Sequence, residues 1–103
     1  MPIYNKLVRD KIPDIIEAEG KRTVTAVLEK DEYYKALIVK LHEEVQEFTE
    51  SDSIEEIADI LEVIDAILAA KGVTNEQVSM IQERKRTERG GFEKRIMLLE
   101  VLK

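Results

Sequence analysis

The sequence predicts an all-α fold: a bundle of four to five helices with room for one short extended segment. Three observations predict it. Glu, Lys, Leu, Ile and Ala are abundant, whereas Gly and Pro number only four and two, a balance that suits helix interiors. Apolar residues in the middle of the chain recur at three- and four-residue steps, the period of a helix face. The segments marked in this way are bounded by capping residues and glycines. At 103 residues the chain has the size of one domain, residues 1–103, with a small core.

The elements follow in order. Residues 1–11, MPIYNKLVRDK, form a basic arm with Lys6, Arg9 and Lys11. Asp10 can cap a first helix that runs to about Glu19, with Pro13 in the first turn and Gly20 as its stop. Residues 21–28, KRTVTAVL, are β-branched and alternate weakly, the pattern of a short extended segment or single strand. Asp31 opens a second helix whose stripe is Tyr34, Leu37, Ile38, Leu41, Val45 and Phe48. At 100° per residue, Glu44 lies about 70° from the middle of that stripe and Glu47 about 130°. A turn at Thr49–Ser53 returns the chain antiparallel.

Ser53 and Glu56 fit a capping box for a third helix, about Ile54 to Lys71, which stops at Gly72. That helix is apolar on nearly every side, as a buried helix is. A chain this short has few other helices to surround it, so a homodimer or higher symmetric oligomer is expected to complete the core. Thr74 and Gln77 form a second capping box, for a fourth helix that runs into ERKRTER and breaks at Gly90-Gly91. The tail, FEKRIMLLEVL, fits either strand or helix, and an extended tail would pair with residues 23–28.

Charge is distributed unevenly. The stretch Glu43–Asp65 contains ten carboxylates and no Lys or Arg, so the rest of the chain carries +4 against a total of −6. An acidic centre with basic flanks suits a bound metal together with a polyanionic ligand. It does not suit duplex nucleic acid, which requires a continuous basic face. The lack of cysteine excludes thiolate metal sites and disulfides and fits a cytoplasmic protein. No apolar run reaches the length of a membrane span, and there is no secretory h-region.

Carboxylates packed this closely on apolar helices repel one another and resist burial, so a cation is expected among them. Glu44 and Glu47 are neighbours at i, i+3 on the second helix. Glu56, Asp59, Glu62 and Asp65 form an i+3 ladder on the third, drifting about 60° per step, so only one adjacent pair can join Glu44 and Glu47. An all-oxygen set of this kind is suited to Mg²⁺, with Mn²⁺ as the alternative. Glu43, Glu50, Asp52 and Glu55 are expected to face water.

The run HEEVQE followed by EEIADILEVID resembles the paired EExxE and ExxD motifs of the all-α, MazG-like nucleoside triphosphate pyrophosphohydrolases. The opening YNKLVRDKIPDII and the late KRTERGGFEKRI are similar to a subgroup described as phosphoribosyl-ATP pyrophosphohydrolase-like, or house-cleaning, enzymes. The resemblance covers nearly the whole chain. It implies a Mg²⁺-binding helical homodimer or homotetramer that splits the α–β phosphate bond of a nucleotide, releasing nucleoside monophosphate and pyrophosphate.

Carried over by motif, Glu44 and Glu47 match the last two acids of EExxE, and Glu56 and Asp59 match ExxD. Eight residues separate Glu47 from Glu56, a shorter gap than is usual in the family. Glu62 and Asp65 are a second ExxD match and the alternative ligands. Glu44 or Glu47 would then take the proton from an attacking water. Lys6, Arg9, Lys11, Lys85, Arg89, Lys94 and Arg95 are the candidates for gripping phosphate. The alternatives are a phosphoribosyl-ATP pyrophosphohydrolase of histidine synthesis and a non-catalytic helical partner-binding dimer. His42, Tyr33, Tyr34 and Phe92 are better explained by packing or surface roles than by chemistry.

Overall fold

The chain reverses at Asp52-Ser53, between its two longest helices. A computed structural model describes residues 5–103. The start of the basic arm, residues 1–4, lies outside the described residues. Four helices are present among the described residues: α1 (Ile12–Ala18), α2 (Lys30–Ser51), α3 (Ile54–Lys71) and α4 (Asn75–Arg89). No strand occurs among them. The chain divides into two compact units, one ending at Gly72 and the other spanning Val73–Lys103.

In the first unit α2 and α3 pack against each other along their lengths. The Lys71 ammonium at the end of α3 lies 5.1 Å from the centre of the Tyr34 ring near the start of α2, so the two helices run antiparallel. The reversal is tight because Asp52 adopts the left-handed conformation (φ 53°, ψ 35°), which Asp tolerates better than most residues, and its N–H reaches the Phe48 carbonyl. Ser53 then caps α3 through its hydroxyl, which accepts from the Glu55 N–H at 3.2 Å. Gly72, at φ 70°, closes α3 in the αL conformation that favours glycine.

The face joining the two helices is marked by the residues it buries. Among the described residues Leu37 on α2 and Val63 on α3 are the buried apolar side chains, and Glu44 on α2 is buried with them at 6% exposure. Leu37 and Glu44 are seven residues apart, which puts them about 20° from each other around α2. Glu44 therefore lies within the packed face, deeper than the stripe of apolar residues suggests. Much of the hairpin's other apolar surface is open: Val39, Val45, Ile54 and Leu61 are all exposed.

Three local expectations are corrected. Asp10 does not cap α1. The N-cap is Lys11, and the chain enters the helix through a turn in which the Ile12 N–H bonds to the Arg9 carbonyl at 3.0 Å. That backbone bond, together with a Pro that has no N–H, leaves a capping side chain little to do. The Ser53–Glu56 capping box does not form, because Ser53 caps the Glu55 N–H and Glu56 faces the other acids. Segment 21–28 is not a strand. Val24 and Val27 are fully exposed and no neighbouring strand pairs with them, and β-branched residues favour sheet only where a sheet exists to pack into.

The second unit consists of α4 and the tail. The Thr74–Gln77 capping box is complete, with bonds of 3.1 and 2.9 Å in its two directions. Gly90 ends the helix at φ 85°. Beyond a turn at residues 92–95, the tail is neither strand nor helix, and Phe92, Ile96, Leu99 and Leu102 are exposed.

Candidate metal centre

The phase of packing between α2 and α3 decides which carboxylates meet. Val63 marks the side of α3 that faces α2. Counting at 100° per residue, Glu56 lies about 20° from Val63 and Asp59 about 40°, whereas Glu62 is about 100° away and Asp65 about 160°. The side chains follow this geometry. Glu44, Glu56 and Asp59 each bring one carboxylate oxygen within 4.8 Å of the others. Glu44 is buried, and Glu56 and Asp59 are partly buried. Glu47 is exposed and outside this trio, though near enough for its charge to act on Glu56. Glu62 and Asp65 are exposed and also outside it.

Two cations lean on the cluster from its edges. The Lys40 ammonium lies 3.4 Å from Oε1 of Glu44 and 3.6 Å from Oε2 of Glu43. The Arg9 guanidinium donates to Oδ1 of Asp59 at 2.7 Å and lies 3.9 Å from Oε1 of Glu62. The acidic stretch is thus not without organic counter-charge. Lys40 stands one turn before it, at i, i+4 to Glu44, a spacing readable in the sequence once the preceding turn is included.

These cations do not complete the site. Oε2 of Glu44 and Oε2 of Glu56 are both buried without a hydrogen-bond partner. Two such acceptors are costly while both carboxylates are ionised, because each has lost water without gaining a donor. Glu56 answers with a raised pKa. Its carboxyl moves from 4.5 to about 7, chiefly through desolvation, then through the charge of Glu47, a proton shared with Glu44, and the charges of Asp59 and Glu44. Near neutral pH the Glu56 carboxyl is therefore only partly ionised. The donors are all carboxylate oxygens, the set preferred by hard divalent ions, so the residues present fit Mg²⁺ or Mn²⁺.

The remaining candidates are dispersed. Lys6 lines a shallow groove with Val39, His42, Glu43, Gln46 and Glu47, beside the acids but without an ion pair among the described residues. Lys11 is exposed. Lys85, Arg89, Lys94 and Arg95 belong to the second unit and are exposed there. Arg95 has φ 57°, a left-handed conformation that closes the turn after Phe92. Tyr33 and Tyr34 line a hollow at the open end of the hairpin, where Lys71 covers the Tyr34 ring.

Comparison with known proteins adds one relative. No family model matches the chain, and no solved structure matches it. An uncharacterized protein of Mycolicibacterium smegmatis is 48% identical over 48 residues, an alignment covering 47% of this chain and 49% of that protein. The match thus spans about half the length of the curated relative. No helix among the described residues is long and apolar enough to cross a membrane.

Proposed function

We propose that the chain is a divalent-metal-dependent nucleoside triphosphate pyrophosphohydrolase of the MazG-like kind, cleaving the α–β phosphate bond to release nucleoside monophosphate and pyrophosphate. One observation carries the reading. A glutamate buried in the hairpin core, Glu44, keeps one carboxylate oxygen without a partner and brings a carboxylate oxygen within 4.8 Å of those of two further acids. An arrangement serving stability alone would have paired that oxygen or replaced the side chain with an apolar one.

Glu44, Glu56 and Asp59 would hold Mg²⁺, with Mn²⁺ as a substitute. When bound, such an ion neutralises phosphate oxygens and acidifies an attacking water. The protein's own residues supply the rest. Glu47, exposed beside the trio, takes the proton from the water as it attacks the α-phosphorus, and pyrophosphate leaves in line. Burial of Glu44 in the α2–α3 face fixes its carboxylate on a rigid element, so the charge arrangement needs little reorganisation during reaction. Lys6, Arg9 and Lys11, in the same unit as the acid cluster, are the phosphate-binding candidates. The open apolar surface at Val39, Val45, Ile54 and Leu61 supports assembly into a homodimer or homotetramer.

The test is a panel of nucleoside triphosphates with Mg²⁺, scored for pyrophosphate against orthophosphate. Pyrophosphate release that stops when metal is chelated is the expected result. Orthophosphate release, or no turnover of any triphosphate, contradicts it. A Mg²⁺-dependent thermal shift separates this reading from a non-catalytic partner-binding helical dimer, which would give none.

A further inference from the structure

We infer that Arg9 has two successive partners: Asp59 while the acid cluster lacks a divalent ion, and a phosphate of the substrate once the ion is bound. The inference rests on the metal reading above and goes beyond it by ordering the two binding events. Its basis is the uneven pairing within the trio. Two of the three carboxylates, Glu44 and Glu56, keep a buried oxygen without a partner, while Asp59 alone is taken up by a cation from a distant part of the chain. That cation is 50 residues away in sequence and is carried by the segment preceding α1, outside the hairpin that builds the cluster.

The contact is strong in geometry but weakly shielded. The guanidinium donates at 2.7 Å, yet the Arg9 and Asp59 side chains remain 56% and 38% exposed. An exposed pair of this kind is worth little net free energy and is readily exchanged for a better partner. A divalent ion is such a partner for Asp59, carrying twice the charge of Arg9 without the entropy of a long side chain. While paired with Asp59, the Arg9 guanidinium also lies 3.9 Å from Oε1 of the exposed Glu62, so release from Asp59 leaves it at the edge of the cluster. A guanidinium at the edge of the cluster is suited to bidentate recognition of a phosphate brought there. Arg9 therefore acts first as a tethered stand-in for the metal and then as a binding residue for the anion.

Two bindings measured on the full chain, as wild type and as Arg9→Ala, test this by calorimetry. The first probe is Mn²⁺ alone. The second, at saturating Mg²⁺, is a nucleoside triphosphate with a methylene bridge between the α and β phosphorus atoms, which cannot be cleaved there. Removing the competitor should tighten Mn²⁺ binding by roughly two- to fivefold, the range set by an exposed ion pair. The same substitution should weaken the triphosphate analogue by about tenfold or more, the loss of one charge-assisted phosphate contact. Arg9→Lys should fall between wild type and Arg9→Ala in both. A residue that merely orients Asp59 would weaken both bindings when removed. Same-sign changes, or no change in either, therefore overturn the inference while leaving the metal reading intact. A wild-type chain that binds no Mn²⁺ overturns both.

Discussion

Helix α3 carries the same motif twice, Glu56-Ile-Ala-Asp59 and Glu62-Val-Ile-Asp65, and the two copies have different fates. The first is partly buried and gathered with Glu44; the second is exposed and, apart from the glancing contact of Glu62 with Arg9, unattended among the described residues. Composition cannot explain the difference, because both copies have the same acids at the same spacing. Phase explains it. Six residues rotate a helix by about 240° beyond a full turn, so the second copy points about 120° from the first. Val63 fixes which of the two faces α2. A motif is therefore a site only where the packing of its helix turns it toward partners.

The largest expected effect divides the two copies by activity. Glu44→Gln, Glu56→Gln and Asp59→Asn should each reduce Mg²⁺-dependent pyrophosphate release by more than about 100-fold, exceeding the loss usual for residues that only support a metal ligand. Circular dichroism should show each variant still folded. Activity retained in all three would break the comparison.

The next effect is on stability, because the phase itself depends on the hairpin's small core. Leu37 is 3% exposed, and Leu37→Ala should cost about 2–5 kcal/mol, seen as a lower urea midpoint. A loss below about 0.5 kcal/mol, the level of a surface substitution, would show that the α2–α3 face is not what holds the hairpin.

A smaller effect follows from the proton on Glu56. Its folded pKa of about 7 lies above the ordinary 4.5, so the native chain binds the proton more tightly than the unfolded chain does. The stability contributed by this group is present in full below 4.5 and is lost as pH rises through about 7. In the metal-free protein, the stability difference between wild type and Glu56→Gln should therefore shift against wild type across that window. A divalent ion must displace the same proton, so Mn²⁺ affinity should climb as pH approaches 7 and level off above it. Affinity independent of pH from 5 to 8 would argue against Glu56 as a ligand.

The smallest expected effect concerns the second copy. Asp65→Asn should change turnover by less than about twofold and stability by no more than about 0.5 kcal/mol, as for an exposed residue without partners. A loss comparable to that of Asp59→Asn would reverse the assignment of the two motifs.

How much of this was legible in the sequence depended on how local the determining physics was. The limits of α3, the Thr74–Gln77 capping box and the stop at Gly72 are set within one or two turns and could be read directly. The all-helical class followed from periodicity. The gathering of Glu44, Glu56 and Asp59 was approachable because helical spacing allowed only one adjacent pair of the ladder to join Glu44 and the motif resemblance favoured Glu56 and Asp59, but the physical reason for that pair is the docking phase of α3, which only the packed pair defines. Segment 21–28 misled because its β-branched residues signal a strand only where a sheet exists to join. The capping box at Ser53 misled because a carboxylate can serve either its own helix end or a cluster across the hairpin, and Glu56 faces the cluster. Arg9 at Asp59 was invisible because a contact spanning 50 residues leaves no periodic trace.

The most direct measurement is calorimetric titration of Mn²⁺ at pH 8 into wild type, Glu56→Gln and Asp65→Asn. If the first motif and Glu44 hold the ion, wild type and Asp65→Asn bind with the same affinity, and Glu56→Gln loses binding by more than about tenfold. Equal binding by Glu56→Gln and wild type, or loss confined to Asp65→Asn, would contradict it.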